Sequence, residues 1–289
     1  MSWFTPIVKF DFQHPKKWKK ISKLTIKKIS EDQLLRFFGI SQRKLDDMGR
    51  VISYTYIGTT PEISILHQIN LAILNELQKY DLYSCKYAFV SDLNEDDHIN
   101  EVEQILIALR LFCLNGITCP VIFNDKSPGV RYIYPLTSQF DRKVFTDSEF
   151  KKISQIKSNL SRLDPEDLKM LSIVIEQGYS MISFLLLMTI LERNIIKGDR
   201  NEISFKVRIF TAKLLSKFFH YKEKEVFNNV KNFYTYRSKF VHEGKALNSN
   251  ELKNILPILY EYVIKILLIK INHPSILNPD KRNELLWKR

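Results

Sequence analysis

The apolar residues of this chain follow two different rhythms. Up to about residue 140 they come in short runs that read as strands, and beyond it they recur at helical spacing. Leu24-Thr-Ile26 and Val51-Ile-Ser-Tyr-Thr-Tyr-Ile57 alternate like half-buried strands, and Cys85-Lys-Tyr-Ala-Phe-Val90 reads as another strand. The runs 119–123 and 130–134 flank Asn-Asp-Lys-Ser-Pro-Gly, which predicts a hairpin with a long turn. Two helices interrupt them. One starts at Thr60-Pro61-Glu62, with Thr60 as cap and Pro61 at the first helical position. Its inner face is Ile63, Leu66, Ile69, Ile73 and Leu77, which leaves His67 on the surface. The other spans 99–114.

After residue 144 the pattern is helical throughout. Thr146-Asp-Ser-Glu149 forms a capping box ahead of Phe150, Ile153 and Leu160. Asp164-Pro165 restarts the helix with Leu168, Leu171 and Ile175, until Gly178 bends or breaks it. The apolar run 181–191 is too short to cross a bilayer and is closed by Glu192-Arg193, so it predicts a buried helix. After a turn at 197–201, Ile203, Val207, Phe210 and Leu214 line the next helix. A helix over 222–241 follows, and the last runs over about 251–271 through Ile255, Leu259, Val263 and Ile266. Pro257 must kink that last helix or mark its start. The fold expected is mainly α: an α+β domain over 1–144, then an antiparallel helical bundle over 145–289.

Charge sharpens this division. The net charge is +12, and residues 151–289 carry 25 Lys+Arg against 14 Asp+Glu, whereas residues 1–150 carry 19 against 18. A cationic half suits a phosphate-backbone ligand, although a lysine-rich genome decorating solvated faces gives the same excess. The three cysteines, Cys85, Cys113 and Cys119, form no C-x-x-C pair and fit a reducing, cytoplasmic setting. Met-Ser-Trp-Phe-Thr-Pro has neither the basic nor the apolar block of a signal peptide, and no membrane partner is expected. Asp92, Glu95, Asp96 and Asp97 crowd around His98, but carboxylates at a helix start are favoured by the helix dipole. No metal and no cofactor is expected. The eight glycines form no phosphate loop, and His242-Glu243-Gly244-Lys245 lacks the second histidine of a zinc-protease helix.

The chemistry concentrates in the helix over 222–241. Val226, Val230, Phe233, Arg237 and Val241 follow one another at steps of four and three, so Arg237 falls on the inward stripe and requires an anionic partner or an open cleft. His242 comes five residues later, and Gly244 supplies the stop. An arginine can fork onto a phosphate while an imidazole moves a proton. An ion-paired helix arginine followed by a histidine near the cap meets the same spacing. On a regular helix five residues turn the two side chains about 140° apart, so either the last turn unwinds or a second copy completes the site. Phe233, Tyr234 and Tyr236 could stack bases, although aromatics at this spacing are more often core.

Three stretches carry a family resemblance. Arg237-Ser-Lys-Phe-Val-His242 is similar to the Arg-x4–6-His signature of HEPN domains, specifically of the ApeA-like branch. Leu191-Glu192 ends the apolar helix as Leu-Glu does in that branch, and the run 202–215 resembles the helix that the family places before its catalytic one. The resemblance implies a metal-independent endoribonuclease of antiphage defence or a toxin-type stress response, working as a homodimer through the C-terminal bundle. It implies that Arg237 holds the phosphate, that His242 transfers protons, and that Glu192 and Ser238 support them. Ser238 replaces the Asn, Asp or His common at that position in the family. Lys239, Tyr236 and Lys245 are candidate RNA contacts, and an antitoxin or trigger protein is a further partner. The competing reading is a non-catalytic RNA-binding or dimerisation module with the first domain as sensor.

Overall fold

The computed structural model describes residues 2–13, 18–30, 33, 40–45, 51–56, 85–124, 130–132, 140–196, 202–278, 281 and 284. The helix expected from Thr60, with His67 on it, lies outside the described residues, as do the turn at 197–201 and most of the hairpin turn before residue 130. The chain divides into two compact units: residues 1–106 with 115–154, and residues 107–114 with 155–289.

The first unit is built on a six-stranded antiparallel sheet. Its strands are β1 (Trp3–Pro6), β3 (Trp18–Ile21), β4 (Leu24–Lys28), β7 (Tyr87–Ser91), β8 (Val121–Asn124) and β9 (Val130–Tyr132), in the order β3-β4-β7-β1-β8-β9. Every residue of β7 is buried, which explains its continuous apolar character. β2 (Phe10–Phe12) and β10 (Lys143–Phe145) pair in parallel, and β5 (Ile40–Leu45) pairs with β6 (Val51–Tyr56). The β2–β10 pair is held by aromatic packing: Phe10 stacks on Phe145 at 5.5 Å and meets Phe12 and Phe150 edge-on. Helix α1 (Glu95–Phe112) opens as its acidic first turn predicts, with Asn94 accepting from the Asp97 amide at 2.8 Å. His98 turns away from that acidic cluster and into the interior, with its ring nitrogens 2.8 Å from Thr5 Oγ1 and 2.7 Å from Ser91 Oγ.

Helices dominate the rest. α2 (Asp147–Ser158) begins at the expected box, where the Thr146 amide donates to Glu149 and the Glu149 amide donates back to Thr146 Oγ1. α3 (Pro165–Gln177) is capped by Asp164 and ends at Gly178, whose φ of 57° lies in the region that glycine favours. α4 (Met181–Ile195) is apolar on most of its circumference because α3, α5 (Ile203–Phe219) and α7 (Ser249–Asn272) all pack against it. α6 (Glu223–Glu243) packs along α5. Pro257 does not start α7. The helix begins at Ser249, behind a capping box of Asn248 and Glu251, and carries Pro257 inside.

Burial pushes the His98 imidazole down to about 4 from its ordinary 6.5. The unfolded chain therefore binds more protons between these values, so the contribution is complete above about pH 6.5 and is lost as pH falls through 4. Urea denaturation of the wild type should lose about 2–3 kcal/mol between pH 7 and 4.5. His98→Gln should be flatter over that window, and equal slopes would contradict this account.

Candidate functional site

The site forms where α4 ends beside α5 and α6. Val226, Val230 and Phe233 of α6 are buried, so the apolar stripe does face inward for its first two turns. Arg237 continues that face where the bundle opens. Its Nη1 lies 3.7 Å from Glu192 Oε1, with the arginine side chain 41% exposed and the glutamate 21%. Val241, the next position of the stripe, is 60% exposed.

A second network sets the position of Glu192. Arg193 and Asn194 follow it on α4 and turn toward α3, where the Asp167 carboxylate is buried. Asn194 Nδ2 donates to Asp167 Oδ2 at 2.8 Å, Arg193 Nε lies 3.3 Å from Oδ1, and Lys270 Nζ of α7 lies 3.7 Å from Oδ2. Lys270 also donates to Asn194 Oδ1 at 2.7 Å. With the two residues after it committed to α3, Glu192 is left on the side of α4 that meets α6.

Glu192, α5 and α6 enclose an open cleft of about 800 Å³. Four cations border it, Arg208, Lys231, Arg237 and Lys239, against two carboxylates, Glu192 and Glu243. Glu243 is itself paired with Lys245 at 2.7 Å. In the cleft wall the Tyr234 hydroxyl and Glu192 Oε1 are both buried, and the phenol interacts with the Glu192 carboxylate. Burial, and then the Glu192 charge, raise the Tyr234 pKa far above its ordinary value, while Arg237 and Arg208 oppose the rise. The phenol therefore stays protonated at any physiological pH and serves as a donor.

Of the residues chosen from sequence, Arg237, His242, Glu192, Ser238 and Lys239 share this cleft. Tyr236 is half-buried and does not line it, and Lys245 is exposed beyond the helix end. α6 stays helical through Glu243, and Gly244 closes it at φ 67° in the left-handed region. The last turn does not unwind, so Arg237 and His242 remain on faces about 140° apart, at different borders of the cleft.

Sequence spacing singled out neither Arg208 nor Lys231, and it placed Tyr234 only as a base-stacking or core aromatic. A signal for part of this was present, because Lys231, Thr235, Ser238 and His242 follow one another at steps of four, three and four. That polar stripe runs beside the apolar one and lines the cleft. Arg208 had no such signal, since only the packing of α5 on α6 brings it there. Among the described residues no three His, Cys, Asp or Glu side chains gather as a metal site, and no helix is long and apolar enough to cross a membrane. No family model matches the chain, and neither curated proteins nor solved structures give a significant match.

Removing the Asp167 carboxylate would take away the ion pair of the half-buried Lys270 and leave Arg193 with Asp164. Asp167→Ala should cost about 3 kcal/mol of unfolding free energy. Chemical denaturation of the two proteins measures this directly, and a loss under about 1 kcal/mol would show that the network is not a stability determinant.

Proposed function

We propose that the C-terminal unit is a HEPN-type, metal-independent endoribonuclease that cuts single-stranded RNA. The ribose 2′-oxygen attacks the adjacent phosphorus, the bond to the 5′-oxygen breaks, and a 2′,3′-cyclic phosphate and a 5′-hydroxyl result. Arg237 binds the scissile phosphate and offsets the charge that develops on it. His242 removes the 2′-hydroxyl proton or supplies one to the leaving oxygen. The observation that carries this reading is that Arg237 and His242 border one open cleft with a cationic excess.

Two features shape the mechanism. The first is the Arg237–Glu192 pair. At 3.7 Å and partly exposed it is a weak ion pair, of the class worth about 0–1 kcal/mol. Charge-assisted hydrogen bonds to a phosphate contribute about 1.5–3 kcal/mol each, so RNA can draw Arg237 away from Glu192. The second is the angle between Arg237 and His242. A homodimer in which each copy lends one of the two groups resolves it, and Val241, exposed beside His242, offers that pairing an apolar contact. RNA is the substrate, and antiphage defence or a toxin-type response, restrained by an antitoxin or released by a trigger protein, is the setting that the resemblance implies.

The pairing of Arg237 with Glu192 also suits the second reading, a non-catalytic RNA-binding or dimerisation module. Cleavage assays separate the two. His242→Ala should slow RNA cutting by about 10²–10⁴ while binding of a matched DNA strand is retained. Arg237→Ala should weaken both binding and cutting. Activity should survive EDTA, and the DNA strand should remain intact. An unchanged rate in His242→Ala would remove the imidazole from the mechanism, and wild-type protein that binds RNA without cutting it would favour the module.

A further inference from the structure

The cleft does not stop at Arg208. A second hollow of about 540 Å³ adjoins it, sharing Ile203, Ser204 and Arg208 and adding Phe205 and Glu202. Phe205 is 46% exposed at the first turn of α5. Its neighbours hold it in place: Phe227 of α6 meets it edge-on at 6.4 Å, and the Arg208 guanidinium lies 5.8 Å from its centroid and 5.2 Å from that of Phe227. Arg208 Nε donates to the Ser204 carbonyl at 3.0 Å, which fixes the plane of the guanidinium. Its two terminal amino groups make no hydrogen bond or ion pair with any described residue. Arg208, Arg237 and Tyr234 all line the first cleft.

A bare phosphate would engage the arginines and ignore the ring, and an apolar peptide would engage the ring and ignore the arginines. A nucleotide engages both, because its base has a π-face and its phosphate a charge. We propose that Phe205 and Arg208 form a nucleotide subsite beside the Arg237–His242 cleft, in which Arg208 holds the phosphate neighbouring the scissile one and Phe205 stacks its base. This rests on reading the cleft as an RNA site and adds where the flanking nucleotide lies. Stacking on one exposed ring is sequence-tolerant, so the subsite fixes the strand's path rather than its sequence. It also selects single strands, since a paired base cannot be splayed onto the ring.

Binding of a fluorescein-labelled 12-nucleotide 2′-O-methyl RNA, which lacks the attacking hydroxyl, tests the subsite without requiring cleavage. Phe205→Ala should weaken binding roughly tenfold with an unchanged salt dependence, and Phe205→Trp should restore it. Arg208→Ala should weaken binding and lower the slope of log affinity against log salt by about 0.7, one phosphate contact on a single strand. Binding by Phe205→Ala equal to wild type overturns the subsite. The same holds if Phe205→Ala instead dissociates a dimer in sedimentation while binding persists, since the ring then belongs to an interface between copies. Unmodified RNA distinguishes the two levels of inference. Ring-dependent binding without any cutting leaves the subsite standing and the nuclease reading fallen. Cutting with a KM indifferent to both variants does the reverse.

Discussion

A single carboxylate, buried on α3, holds the working end of the helical unit together. Asp167 gathers an asparagine, an arginine and a lysine from α4 and α7, and its removal would take away the carboxylate that all three share. Its consequence is angular as well as energetic. Once Arg193 and Asn194 are committed to α3, helical geometry allows Glu192 only one direction, toward the end of α6. The acid beside the candidate phosphate-binding arginine is thus oriented by a residue that never touches the cleft.

The cleft is then a matter of charges held close together without full mutual satisfaction. Arg237 has a carboxylate partner, but a loose and partly exposed one. Tyr234, kept protonated by burial and by Glu192, adds a donor that does not titrate away. Arg208 lines the same cleft from α5 with its amino groups uncommitted among the described residues. Glu192 thus stands between a buried phenol and a half-exposed guanidinium, and neither contact is tight. This is why the open end of the bundle reads as a binding site and not as a frayed terminus.

Much of this was legible along the chain, because helix signals are local. The cap at Asp164-Pro165, the stop at Gly178, the box at Thr146 and Glu149, and the inward stripe of α6 each depend on residues within two turns of one another. Strands β4, β6, β7, β8 and β9 were legible too, whereas β2 and β10 were not. β2 and β10 have three residues each and pair in parallel across more than 130 positions, so neither carries enough alternation to be recognised alone. His98 was obscured differently, since nothing in its acidic surroundings pointed to the place its imidazole takes between Thr5 and Ser91.

The sequence by itself determined which helix bears the arginine and the histidine, which face of it is apolar, and where it must stop. Those follow from side-chain spacing and from the freedom of glycine at Gly244. Only the tertiary structure decided that the last apolar position, Val241, stays in water, that Glu192 is the partner of Arg237, and that Arg208 and Phe205 extend the cleft. These depend on where α4 ends and how α5 lies against α6. That is set by burial of side chains far apart in sequence, a condition that no local pattern encodes.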